Sequence, residues 1–155
     1  RGWRPGMALF SIRPMEEADV PAVFQIESTI YEFPWTERNF LDSMRAGYML
    51  NCLCIDNTIA GYIVMMEVVD EYHLLNISIR ADLQGKGHGK HLLEWGLMQA
   101  RTASMNGMLL EVRPSNLPAK TLYEKSGFKL IGVRKNYYPA KAGREDALVF
   151  LKRFA

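Results

Sequence analysis

Gln84-Gly85-Lys86-Gly87-His88-Gly89-Lys90 follows an alternating apolar run that ends near Ile79, and it leads straight into an amphipathic helical pattern. Three glycines at alternate positions let the main chain bend where side chains would obstruct it. Successive N–H groups can then turn toward one anion at the positive end of a helix. The stretch reads as a cradle for phosphate, with a diphosphate as its natural occupant. Two common phosphate loops do not fit. A Walker A loop needs four residues between its glycines and Ser or Thr after the lysine; here three residues separate Gly85 from Gly89, and His91 follows Lys90. The dinucleotide fingerprint G-x-G-x-x-G is not met by Gly85, Gly87 and Gly89 either, and no βαβ unit opens the chain.

Outward from the loop, the run ending near Ile79 reads as a strand, and Leu92, Leu93, Leu97 and Ala100 mark the core-facing stripe of a helix. Met108-Leu109-Leu110-Glu111-Val112-Arg113 is a second strand, ended by Pro114. Strand, helix and strand form a crossover, so the two strands should lie parallel. Upstream, Tyr48 to Ile79 is rich in β-formers and broken at Asp56-Asn57 and Asp70-Glu71, which predicts three antiparallel strands. Phe10 to Arg13 is a short first strand ended by Pro14. Asp19 is placed to cap a helix carrying Val20, Val23, Phe24 and Ile26. A second helix begins after Thr36, with Phe40, Leu41 and Met44 as its apolar side. Between these helices lies the aromatic loop Tyr31-Glu32-Phe33-Pro34-Trp35. Downstream, Asn116 or Ser115 can cap a helix bearing Leu122 and Tyr123, Gly127 suits its exit, and two final strands flank a polar loop from Tyr138 to Arg144. The fold class is α/β: a mixed, mostly antiparallel sheet with one parallel pair, flanked by helices. A cleft should open where the parallel strands diverge, with the glycine loop at its mouth.

The chain has 155 residues, enough for one domain, expected over residues 7–155. Arg1 to Gly6 has no folding pattern and precedes Met7, so it is expected to be an N-terminal extension or cloning remnant. With 19 basic and 17 acidic residues spread along the chain, no basic tract points to nucleic acid. Cys52 and Cys54 stand one residue apart in an apolar strand, on one face, as reduced core thiols. No apolar run reaches the roughly 20 residues that span a bilayer, and no signal peptide is evident, so a cytoplasmic protein is expected. His88-x-x-His91 has helical spacing but lacks a third ligand nearby, so no metal is expected.

The pattern Q-x-x-G-x-G in Gln84 to Gly89 resembles the acetyl-CoA signature of the GNAT acyltransferases, and the whole span from Ser11 to Leu151 is similar to that superfamily. Six strings follow in order: Asn76 to Ile79, Gln84 to Lys90, Leu110 to Asn116, Leu122 to Phe128, Asn136-Tyr137-Tyr138-Pro139, and Gly143-Arg144-Glu145-Asp146-Ala147. Together they resemble the bacterial RimI-type ribosomal-protein alanine N-acetyltransferases. Gly85 is a departure, because basic residues are frequent there; Lys86 and Lys90 remain.

The resemblance implies acetyl-CoA as the acetyl donor, without metal, and the α-amine of a ribosomal-protein N-terminus as the acceptor. It places the cofactor on Ile77, Ser78, Ile79, Gln84, Gly85, Lys86, Gly87, His88, Gly89, Lys90 and Asn116, with the strand residues pairing along the pantetheine through their N–H and C=O groups. Glu111 matches the family's general base, and Tyr123 its general acid. An α-amine titrates at about 7.7 to 8, so a base is needed near neutral pH, and desolvation among apolar neighbours should raise Glu111 toward that range. A rim glutamate paired with Arg113 or a lysine is the structural alternative. Phe33, Pro34, Tyr137 and Tyr138 match positions lining an N-terminal peptide channel. A monomer is expected. Acetyl transfer to a lysine or small amine, and non-catalytic acyl-CoA binding, stay open as alternatives.

Overall fold

The structure is a computed structural model describing residues 9–155; Arg1 to Gly6, expected above to be an extension, lie outside the described residues. Seven strands form one sheet: β1 Phe10–Pro14, β2 Met49–Ile55, β3 Thr58–Val68, β4 Glu71–Ile79, β5 Gly107–Val112, β6 Lys129–Ala140 and β7 Gly143–Arg153, in the order β1-β2-β3-β4-β5-β7-β6. Every neighbouring pair is antiparallel except β4 and β5, which the crossover makes parallel. Four helices cover the faces: α1 Val20–Ile30, α2 Glu37–Arg45, α3 His88–Thr102 and α4 Leu117–Lys125.

Alternation along the strands sends successive side chains to two separate cores. Ile63, Met65, Leu74, Met108, Leu110 and Phe150 pack with Leu92, Leu93 and Leu97 of α3. Cys52, Cys54, Tyr62 and Val64 pack on the opposite face with Val20, Val23 and Ile26 of α1 and Phe40 of α2. The two thiols are free and buried, and burial pushes the Cys52 thiol up to about 12. Gly96 lets α3 lie close on the sheet, because a Cβ there would stand 2.8 Å from Ile63 Cδ1.

Local chemistry explains most element ends. Asp56 and Asn57 both hold positive φ, 51° and 67°, as the tight turn between β2 and β3 requires. Thr36 Oγ1 accepts from Asn39 N while Asn39 Oδ1 accepts from Thr36 N, fixing the start of α2. Asp19 does not cap α1 with its side chain. A 3-10 turn over Glu17–Asp19 runs directly into the helix, and the Asp19 carboxylate is taken by the Arg13 guanidinium at 2.7 and 2.9 Å and by Glu16 N–H. The β3–β4 turn also comes one residue earlier than the sequence reading, since Glu71 already belongs to β4.

The largest difference lies near the C-terminus. Tyr138, Pro139 and Arg144, read as a polar loop, are paired strand residues: Tyr138 faces Glu145 and Pro139 faces Arg144, leaving only Lys141 and Ala142 as the turn. Proline is tolerated because β6 is an edge strand. A register shift between Arg134 and Tyr138, with Asn136 at φ 54°, interrupts the ladder just before this hairpin tip.

Candidate active site

The sheet forks at its centre. β4 and β5 pair from Glu71–Gly107 to Leu74–Leu110 and no further. Directly beyond, β4 carries a bulge: Val64 faces Asn76 and Met65 faces Leu74, so Leu75 has no partner across β3. The extra residue bends β4 away from β5, and the free edge of Asn76 to Ile79 lines the gap. Arg80 N–H donates to Ala60 O at 2.7 Å, so alternation turns the main-chain groups of Ser78 toward β3 and those of Ile77 and Ile79 into the fork. Of the three residues proposed to pair with an extended arm, two therefore offer main-chain groups. The Ser78 hydroxyl is instead tied to Tyr31 Oη at 2.7 Å and Asn76 Oδ1 at 3.1 Å.

A cavity of about 470 Å³ fills the lower fork, lined by Ile77, Ser78, Ile79, Gln84, Gly85, His88, Gly89, Asn116 and Tyr123 among others. Gln84 reaches back from the loop to donate to Ile79 O at 2.9 Å. Gly85 and Gly87 have φ of 77° and 89°, where a side chain would strain the chain, and Gly87 stands at the N-cap of α3. The first helical bond is His91 N–H to Gly87 O, which leaves the N–H groups of His88, Gly89 and Lys90 without helical partners. A cradle of main-chain donors at the positive end of a fifteen-residue helix fits a diphosphate. Lys86, Gly87 and Lys90 do not line the cavity; Lys90 Nζ lies 4.0 Å from Glu94 on its own helix. Asn116 caps α4 by accepting from Ala119 N–H and also lines the cavity, so both suggested roles fall on one side chain.

On the other side of the fork, a cavity of about 280 Å³ is lined by Glu27, Tyr31, Phe33, Trp35, Asn76, Glu111, Arg113, Tyr123, Tyr138 and Pro139 among others. Tyr123 lines both cavities, so the two meet at its side chain. Leu110 and Val112 belong to the α3 core, which turns Glu111 to the opposite face and into the second cavity. Its carboxylate is only 9 % exposed; Oε1 lies 2.9 Å from His73 Nε2, and Oε2 accepts from Arg134 Nε at 3.0 Å. The expected rise in its pKa does not occur. The hydrogen bond from His73 and the charge of Arg134 outweigh desolvation and hold the carboxyl below the ordinary glutamate range. The partners are His73 and Arg134, while Arg113 bonds Glu145 and Pro139 O. Tyr123 is 7 % exposed and packs against Phe128, and burial raises its phenol above the usual tyrosine range, which keeps its proton in place.

At the cavity mouth Arg113 is a hub. Its guanidinium sits 4.5 Å over the Tyr138 ring and 5.4 Å from the Phe33 ring, while Nη1 donates to Pro139 O at 2.7 Å and to Glu145 Oε1 at 3.2 Å. Glu145 Oε2 accepts from Ser115 N–H. Phe33 and Tyr138 are thus brought together across the opening, whereas Pro34 and Tyr137 do not line it; Tyr137 packs edge-on against Tyr138 and is 44 % exposed. Residues given no individual role from sequence form the floor. The Glu27 carboxylate accepts from Tyr62 Oη at 2.6 Å, Asn76 Nδ2 at 3.0 Å and Trp35 N–H at 3.0 Å. These contacts join residues 8 to 49 positions apart, beyond the reach of local patterning. His88 stacks on Phe10 at 5.6 Å, and among the described residues no group of three metal-ligating side chains is present.

Comparison with known proteins agrees with this geometry. Residues 11–128 match the Acetyltransferase (GNAT) family. The [ribosomal protein bS18]-alanine N-acetyltransferase of Salmonella typhimurium is 37 % identical over 139 residues, covering 90 % of this chain and 94 % of that protein. The crystal structure of the ribosomal-protein-S18-alanine N-acetyltransferase from Escherichia coli superposes with a TM-score of 0.88 at 34 % identity, covering 95 % of both chains. Arabidopsis thaliana NAA60, solved in complex with acetyl-CoA, shares the fold at a TM-score of 0.82 and 14 % identity, covering 94 % of this chain and 99 % of that one. A split sheet with a glycine cradle, a family match across most of its length and relatives above 30 % identity together establish that this chain belongs to the GNAT acetyltransferase family.

Proposed function

We propose that this protein transfers the acetyl group of acetyl-CoA to the N-terminal α-amine of a ribosomal protein, the alanine terminus of bS18 being the first candidate. The observation that carries the reading is the pair of cavities meeting at Tyr123, one under the glycine cradle and one under an aromatic mouth. An extended thioester arm would enter through the first, paired with Ile77 and Ile79, and the amine would enter through the second. Holding both together supplies most of the rate. The names of the relatives favour this acceptor.

Glu111 would take the ammonium proton, and Tyr123 would give its own to the departing sulfur. The N–C bond forms as the C–S bond breaks, and proton transfer adds about 10² to 10⁴. The lowered basicity of Glu111, set by His73 and Arg134, makes it a receiver that passes the proton on and does not keep it. The free main-chain N–H groups of the fork edge can polarise the thioester carbonyl.

A peptide that begins with Ala and contains internal lysines tests the acceptor. Fragment-ion mass spectrometry after incubation with acetyl-CoA should place the acetyl group on the α-amine; chief labelling of lysine would refute the reading. Glu111→Gln and Tyr123→Phe should lower kcat with little change in the dissociation constant of acetyl-CoA, and either variant turning over like the parent across pH 6 to 9 would remove that residue from its role.

A further inference from the structure

Two residues with carboxylate side chains line the cavity assigned to the amine, and they differ in the charge of their partners. Glu111 is compensated by the Arg134 guanidinium at 3.0 Å. Glu27 is the one charged residue that is buried among the described residues, at 3 % exposure, yet none of its partners is cationic. Tyr62 Oη, Asn76 Nδ2 and Trp35 N–H are neutral donors that satisfy hydrogen bonding without cancelling charge. A buried carboxylate is costly unless a cation completes it. Here Glu27 itself lines the cavity.

Geometry leaves room for one more donor. A carboxylate offers about four lone-pair sites; Oε1 uses two, for Tyr62 and Asn76, and Oε2 uses one, for Trp35. We propose that Glu27 is the counter-charge that receives the substrate's protonated α-amine, with its last acceptor site, before Glu111 removes the proton. This rests on the α-amine reading above and deepens it. Glu27 makes the cavity selective for a primary ammonium, and its bonds to Trp35 in the aromatic loop and Asn76 on β4 place that ammonium between mouth and fork. When the proton passes to a Glu111 oxygen, Glu27 keeps its three donors and the neutral amine is released to attack. Glu27 is thus a substrate-binding residue with no share in the proton transfer.

The test uses an Ala-first peptide and its des-amino counterpart, in which hydrogen replaces the α-amine, binding to the CoA-loaded protein in a calorimeter. The parent protein should bind the amino peptide at least tenfold more tightly than the des-amino one. In Glu27→Gln the two should bind alike, with the CoA dissociation constant unchanged. Tyr62→Phe is the control: it removes a hydrogen bond from the same carboxylate but no charge, and should retain the tenfold preference. Loss of the preference in Tyr62→Phe as well would reduce Glu27 to a structural role, and a preference surviving in Glu27→Gln would overturn the proposal. If the acetyl group is found on lysine while Glu27→Gln still abolishes the preference, the acceptor reading fails and the ammonium site stands.

Discussion

Replacing Arg113 by alanine should open the cavity mouth and weaken peptide binding while sparing the donor site. The guanidinium makes four contacts there: a charge-assisted hydrogen bond to Pro139 O, an ion pair with Glu145, and stacking on Tyr138 and Phe33. Its side chain is 25 % exposed, so each contact is worth less than in a dry interior. The carbonyl bond contributes about 1 kcal/mol, the ion pair about 0.5, and stacking about 0.5. The three add to about 2 kcal/mol. If the peptide needs the closed mouth, that energy appears as a rise of about 30-fold in peptide KM, since about 1.4 kcal/mol is tenfold. Arg113→Lys should recover little, because an ammonium cannot span Pro139 O, Glu145 and two rings at once. Initial rates against peptide concentration at saturating acetyl-CoA measure the effect, and calorimetry should show acetyl-CoA binding within twofold of the parent. A peptide KM that moves less than twofold, or a fall in acetyl-CoA affinity of similar size, would refute the reasoning.

Three further outcomes follow from the geometry. Gly89→Leu has room against Ile79 and Leu122, whose nearest atoms lie 3.8 Å from a Cβ built there, so the variant should keep its thermal midpoint within a few degrees yet bind acetyl-CoA at least tenfold more weakly by calorimetry. Tyr138→Ala removes the ring beneath Arg113 and should raise peptide KM severalfold without altering the acetyl-CoA dissociation constant. Asp19, held below its ordinary pKa by Arg13, adds stability above the unfolded value of about 3.9, and that stability is lost as pH falls through the lower folded value. Asp19→Asn should therefore cost about 1 kcal/mol at pH 7, discounted for the exposure of Arg13, and nothing in acid, as urea titrations at pH 7 and pH 2 would reveal.

Much of this arrangement is legible in the order of residues. Turn chemistry at Asp56-Asn57, the helical stripe from Leu92 to Ala100 and the crossover logic place the parallel pair correctly, because each depends on neighbours within one element. The bulge at Leu75 leaves no local mark: it shows only as a mismatch of register with β3, a property of two strands together. The same holds for Glu111. Its apolar sequence neighbours suggested a raised pKa, but strand alternation sends them to the other face, and the residues that set its charge arrive from β4 and β6. Tyr138 to Arg144 reads as a polar loop, whereas pairing across β6 and β7 continues to Ala140 and Gly143, and the edge position of β6 makes Pro139 compatible with it.

The fork has a mechanical side. Seven strands are joined at the centre by four residue pairs, Glu71–Gly107 to Leu74–Leu110, so strands β1 to β4 and strands β5 to β7 meet along a seam only about 10 Å long. The His73–Glu111 contact bridges that seam. An acetyl donor lying along Ile77 and Ile79 while touching Asn116 would act as a stitch across it, lending the sheet the rungs that β4 and β5 do not make. Donor binding should then slow hydrogen exchange on both banks of the seam at once, at Ile77 and Ile79 and at the amides of β5, and the substrate becomes for the length of one turnover a part of the scaffold that holds it.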